Sequence, residues 1–122
     1  MTIQDKRALM LLKSLIFHYH GLDEDENKIL TESARQYEAM EELDWANAFI
    51  AEDYLSAFER SREFFNQTIK PKSKEVKLDY LKSVWEDNNK KGYLTEMEAT
   101  AMLNLAKEWD IQKELMEHVR EG

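Results

Sequence analysis

The chain has no cysteine, one proline and three glycines in 122 residues. Without cysteine there are no disulfides, no thiolate nucleophiles and no cysteine-ligated zinc. So little glycine and proline leaves few points at which regular structure must break, and abundant Ala, Leu, Met, Glu and Lys favours helices over many short strands. Positive charge is also scarce: 17 Lys and Arg stand against 25 Asp and Glu, a net charge of −8. Nucleic acid and anionic membrane surfaces both require a positive field, so neither is an expected partner, whereas a cation or a basic protein is compatible. Long apolar runs are missing too. The stretch Ala8–Phe17 is interrupted by Lys13, is too short to cross a bilayer and lacks a signal-peptide cleavage pattern, so no membrane insertion is expected and the expected location is cytoplasmic.

What is present is helical periodicity. Length and composition suit a single domain over residues 1–122, all-α, with about seven helices in two pseudo-symmetric halves near 2–67 and 73–120. Leu9, Leu12, Ile16 and Tyr19, widened by Leu11 and Leu15, predict a central helix over 2–19 that Gly21 ends. A second helix is expected over 24–41, capped by Asp23 with Glu26 three residues on, and with Met40 in its buried stripe. Asp44 is placed to cap a short third helix carrying Trp45, Phe49 and Ile50. A fourth, near 52–67, turns Leu55, Phe58 and Phe65 inward and Glu59, Arg60, Arg62 and Glu63 outward. Pro71 lies in a lysine-rich hinge. Beyond it, a helix over 73–89 presents Val76, Leu81, Val84 and Trp85, and Gly92 breaks it. Thr95 and Glu98 form a capping box for a helix with Met97, Ala101, Met102, Leu105 and Ala106 on its apolar face. Asp110 is placed to cap the last helix.

The two halves repeat one phrase. Leu12-Lys13-Ser14-Leu15-Ile16 leads to His20-Gly21 and Asp23-Glu24-Asp25-Glu26; Leu81-Lys82-Ser83-Val84-Trp85 leads to Lys91-Gly92 and Thr95-Glu96-Met97-Glu98. One reading is structural: a helix stop followed by a capped helix start. The other is a metal site. Residues 87–98 have the spacing of a calcium loop, with oxygen donors from Asp87, Asn89, the Tyr93 carbonyl, Thr95 and Glu98, although Lys91 stands where a donor is expected. A weakly bound divalent cation would then draw on Asp23, Glu26, Asp87 and Glu98.

These turns, Gly92-Tyr93-Leu94-Thr95-Glu96-Met97-Glu98 and Gly21-Leu22-Asp23-Glu24-Asp25-Glu26, resemble those of the tellurite-resistance TerB-like family over roughly Lys6 to Val119. The resemblance implies an all-α domain of two related halves, linked to stress responses, with acidic turn residues proposed to bind a metal cation. The family has Asp before each turn glycine; here His20 and Lys91 occupy those positions.

The remaining residue types suggest less. His18 and His20 are two apart and face different ways on a continuous helix, and His118 is remote, so a helix-end role competes with a zinc site. Trp45, Trp85 and Trp109 read as core or groove walls, and Met97, Met102 and Met116 as core unless several are exposed, in which case they suggest a peptide groove. There is no phosphate-cradling glycine loop and no serine in a nucleophile elbow. The expected function is a non-enzymatic protein-interaction or stress-response module with a protein partner. The alternatives are a divalent-cation-binding module and a metalloenzyme with its site between the halves.

Overall fold

A computed structural model of the chain describes residues 1–18 and 22–121, so the expected helix stop at Gly21 and the role of His20 lie outside the described residues. The described chain is all-helical: α1 (Ile3–Phe17), α2 (Glu24–Gln36), α3 (Met40–Ala51), α4 (Ala57–Thr68), α5 (Lys74–Lys91), α6 (Glu96–Glu108) and α7 (Gln112–Glu121).

Helix α1 is the axis of the molecule. It starts at a capping box in which the Thr2 hydroxyl accepts from the Asp5 amide and the Asp5 carboxylate accepts from the Thr2 amide. Every residue from Ala8 to Phe17 is buried, because α2, α3, α4, α5 and α6 all pack on it. A helix apolar on all sides must be covered on all sides. Each fully buried Leu or Ile on it, such as Leu12 and Ile16, contributes about 1.5–3 kcal/mol relative to an exposed position. The breadth of the apolar stripe anticipates this central placement; the burial of Lys13 and Ser14 within it is the unexpected part.

The expected second helix over 24–41 is in fact interrupted. Helix α2 stops at Gln36 with Glu38 in the left-handed region at φ 53°. The Ala39 amide donates to the Ala34 carbonyl and the Glu38 amide to that of Arg35, a Schellman stop made without glycine. Helix α3 therefore begins at Met40, Asp44 lies inside it instead of capping it, and Met40 is exposed instead of buried. The α6–α7 turn closes in the same way. Asp110 sits at φ 59°, with Ile111 donating to Ala106 and Asp110 to Lys107, and α7 starts only at Gln112. In both turns the residue after the left-handed position, Ala39 or Ile111, is fully buried.

At the end of α5, Gly92 has φ 90° and its amide donates to Asn88 and Asn89. A Cβ at this position meets no other atom within 4 Å. The effect of substitution is then purely conformational: Gly92→Ala should cost about 1–2 kcal/mol and Gly92→Asn less, as read by chemical denaturation. Equal stabilities for the two variants would show that the left-handed turn relaxes.

The α3–α4 connection also departs from expectation. Helix α4 begins at Ala57, so Leu55 lies in the preceding loop and is 100% exposed. Among aromatic residues, Trp45, Phe49 and Phe64 form a triad with centroids 5.3–6.4 Å apart, and Phe65 meets the buried Trp109 edge-on at 5.9 Å. Val76 is exposed on α5, whereas Leu81 and Val84 are buried as the periodicity requires.

Candidate functional site

Two features remain once the core is accounted for: a buried ladder of charges and an exposed apolar cleft. The ladder is built from the capped turns. Asp23 stays at the surface, and its Oδ1 accepts from the Glu26 amide at 2.8 Å. Thr95 Oγ1 likewise accepts from the Glu98 amide at 3.2 Å. Glu26 and Glu98 thus each occupy the third position of a helix, where the positive end of the helix favours a carboxylate. Both are buried and both reach Lys91. The ammonium lies 2.5 Å from Glu98 Oε2 and 3.4 Å from Glu26 Oε2, with its side chain only 2% exposed. The rings of Phe17 and Tyr93 flank it, with centroids at 5.0 and 4.6 Å.

Burial pushes the Glu98 carboxyl up, but hydrogen bonds from Lys91 and from the Thr95 amide and hydroxyl outweigh it and hold the group below its ordinary range. Glu98 is therefore a carboxylate at neutral pH, and Lys91 supplies its counter-charge.

One turn earlier on α5, Asp87 forms the second rung. Lys13 of α1 places its ammonium 2.7 Å from Asp87 Oδ2 and donates to Ser33 Oγ at 2.7 Å, with the Tyr37 ring centroid 5.4 Å away. The contact with Asp87 is a close ion pair without hydrogen-bond alignment. Lys90 approaches the other Asp87 oxygen at 3.7 Å from the surface.

Of the four residues expected around a cation, the structure brings Glu26 and Glu98 together on Lys91, pairs Asp87 with Lys13 and leaves Asp23 as a cap. Residues 87–91 are helical, so they do not wrap around an ion as a calcium loop would. Among the described residues there is no group of three or more His, Asp or Glu arranged to hold a metal ion. His18 Nδ1 lies 2.7 Å from the Ser14 carbonyl at the end of α1, and His118 sits on α7. Lys13 and Lys91 were legible only as an interruption of an apolar run and as a departure from the family turn. A lone lysine in an otherwise apolar helix is nonetheless a signal of a buried partner.

The cleft lies where α4, α6 and the loop before α4 meet. One part, about 490 Å³, is lined by Phe58, Glu96, Met97, Thr100, Ala101 and Asn104. An adjoining part, about 360 Å³, shares Phe58 and Met97 and adds Leu15, His18, Ile50, Tyr54, Leu55 and Ala57. Tyr54 is 64% and Met97 53% exposed. The loop bearing Tyr54 and Leu55 is firmly braced. Asp53 Oδ1 accepts from the Leu55 amide, and Ser56 Oγ donates to Asp53 Oδ2. Arg60 donates to Ser56 Oγ and to the carbonyls of Phe49 and Asp53, each at 2.8–2.9 Å, and stacks over the Phe49 ring at 4.7 Å. Arg60, expected on the solvent face of α4, is thus the brace of this loop.

No helix among the described residues is long and apolar enough to cross a membrane. Comparison with protein-family models, with curated proteins and with solved structures finds no match for this chain.

Proposed function

We propose that the chain is a non-enzymatic protein-interaction domain of TerB-like plan, and that the apolar cleft between α4, α6 and the braced loop is its docking surface. The observation that carries this reading is Leu55, fully exposed on a loop that five side-chain hydrogen bonds from Asp53, Ser56 and Arg60 hold in place. Burial does not hold the Leu55 side chain, and the loop is ordered around it beside Tyr54 and Met97. Tyr54, Leu55 and Met97 line one recess with their side chains exposed, an arrangement that supports a docking role. The exposure of Met97 also favours the peptide-groove reading of the methionines, since a thioether adapts to varied partners.

The two related halves belong to the same proposal. Asp23 and Thr95, Glu26 and Glu98, Tyr37 and Trp109, Glu38 and Asp110, and Ala39 and Ile111 stand at one constant spacing along the chain. Each pair has the same local role: cap, reciprocal carboxylate, helix C-cap, left-handed stop and buried following residue. These matches support a duplicated helix–turn–helix plan. In this plan Lys91 takes over, as a tethered cation, the place where the family reading expects a carboxylate.

A photoreactive residue at position 55 or 97 is expected to cross-link a discrete partner in cell extract. The same probe at Gln36, which does not line the cleft, should not. Unlabelled wild-type protein should compete, and a Leu55→Ser/Met97→Ser double variant should not. Equal cross-linking from Gln36, or none from the cleft positions, removes the docking assignment.

A further inference from the structure

A separate recess, about 390 Å³, opens where the start of α1, the end of α2 and the first half of α5 meet. It shares no lining residue with the cleft beside α4 and α6. Its α5 wall is Val76, Asp79, Tyr80 and Ser83, which helical spacing puts on one face. Helix α1 contributes Asp5 and Leu9, the end of α2 Tyr37, and the connection before α5 Lys72. Met1 completes the lining and makes no ion pair with either carboxylate. Val76, expected to face inward and found exposed, has its place in this wall.

Tyr80 distinguishes this recess from an ordinary surface hollow. The residue is 6% exposed, yet among the described residues its hydroxyl has no hydrogen-bond partner. A phenol buried to this degree ordinarily finds one, because a buried polar group left unpaired costs free energy. Burial pushes the phenol up to about 12 and the Asp5 carboxylate adds to the rise, so the field at the hydroxyl is negative. Asp79 and Ser83, on the same face of α5, also have no side-chain partner among the described residues. The cations of this region are committed. Lys72, the one Lys or Arg lining the recess among the described residues, pairs with Asp5 at 2.8 Å. Lys6 donates to the Glu38 carbonyl, and Lys13, beside the Tyr37 ring, pairs with Asp87. The Asp79 carboxylate is left uncompensated.

These groups select the chemistry of the ligand. An anion would meet two carboxylates, Asp5 and Asp79. A metal ion lacks donors, since no group of three His, Asp or Glu gathers among the described residues. A primary ammonium carries three hydrogen-bond donors and a positive charge, which match one carboxylate and two hydroxyl oxygens without partners. Leu9, Val76 and the Tyr37 ring offer an apolar wall to whatever the ammonium is attached to. We infer that this recess binds a small primary amine, its ammonium on Asp79, Tyr80 and Ser83 and its apolar body against Leu9, Val76 and Tyr37. The inference stands independently of the docking cleft.

The test is an NMR titration of the intact, isotopically labelled protein with three probes that share one body: phenethylamine, the neutral phenethyl alcohol and the anionic hydrocinnamate. The amine is expected to shift the amide resonances of Asp79, Tyr80 and Ser83 and to bind at least about tenfold more tightly than either of the others, because hydrogen bonds between charged groups are the stronger kind. Asp79→Asn should weaken the amine about tenfold and leave the alcohol unchanged. Asp79 is exposed, so this variant does not endanger folding. Tyr80→Phe should also weaken the amine, while the urea midpoint of the free protein stays the same or rises, because no hydrogen bond is lost. A lowered midpoint would show that the hydroxyl has a partner within the fold and would remove the basis of the site. Equal binding by the alcohol, or an Asp79→Asn variant that binds the amine as wild type does, overturns the cationic ligand. Tighter binding by hydrocinnamate overturns it in favour of an anion held by Lys72. If no probe moves these resonances at millimolar concentration, the site itself is overturned.

Discussion

Lys91→Met will lie about 3–5 kcal/mol below the wild type in urea unfolding, the loss expected when one partner of a buried ionic cluster is removed. Methionine matches the length of the stem and its packing on Phe17 and Tyr93, so the loss comes from removing the Lys91 ammonium from beside the buried carboxylates of Glu26 and Glu98. The triple variant Lys91→Met/Glu26→Gln/Glu98→Gln should recover most of the stability, because glutamine still accepts the capping amides of Asp23 and Thr95. A triple variant no more stable than the single one would assign the loss to packing instead. The pH dependence gives a second readout. In the wild type the Glu98 carboxyl is held below its ordinary range, so its contribution is present above the unfolded value and disappears as pH falls through the folded one. Without Lys91 the Glu98 carboxyl loses the strongest of the hydrogen bonds that lower it, while burial still pushes it up. The gap between variant and wild type should therefore narrow as pH falls toward the carboxylate range.

Lys13→Met is the second large effect, about 3 kcal/mol, at the lower end of the range for a broken buried pair. It strands the Asp87 carboxylate and removes the donor to Ser33, and exposed Lys90 at 3.7 Å offsets part of the loss. Replacing both partners, as Lys13→Met/Asp87→Leu, should return close to wild-type stability, since an apolar pair of similar volume is often neutral where a broken ion pair is not. The two rungs are also neighbours. Asp87 and Lys91 are one turn apart on α5, as are Lys13 and Phe17 on α1. A double-mutant cycle between Lys13→Met and Lys91→Met should show non-additivity above about 0.5 kcal/mol. Simple additivity would mean that the rungs act independently.

How much of this could be read in advance depends on the range of the interaction. The starts of α2 and α6 were legible because a capping box is a contact between residues three apart, and Asp23/Glu26 and Thr95/Glu98 declare it directly. The end of α5 was legible because Gly92 suits a left-handed residue. The ends of α2 and α6 were not, since Glu38 and Asp110 adopt the same conformation against their preference. The burial of Ala39 and Ile111 holds them there, and that burial depends on tertiary packing. Two carboxylates of the expected cation site do meet, but on a lysine side chain. Lys91 contacts Glu26 across 65 positions and Lys13 contacts Ser33 across 20, distances over which a local pattern carries no information. Leu55 was read as inward because its spacing to Phe58 continues a helical stripe, yet the Asp53 and Arg60 hydrogen bonds hold it in a loop and α4 starts only at Ala57, two residues later.

The central position of α1 also governs the order of assembly during synthesis. Its lysine is neutralised by a residue of α5, and the Glu26 carboxylate by the last residue of that helix. A nascent chain that has emerged only as far as α4 holds Lys13 and Glu26 without their counter-charges, Lys13 keeping only its contacts with Ser33 and Tyr37, and most of α1 uncovered on one side. Docking of α1 to α4 alone would bury charge at a loss, so the first four helices have little reason to settle early. Neither rung can close before α5 is in place, so the full native packing of α1 depends on a helix that lies more than fifty residues further along the chain.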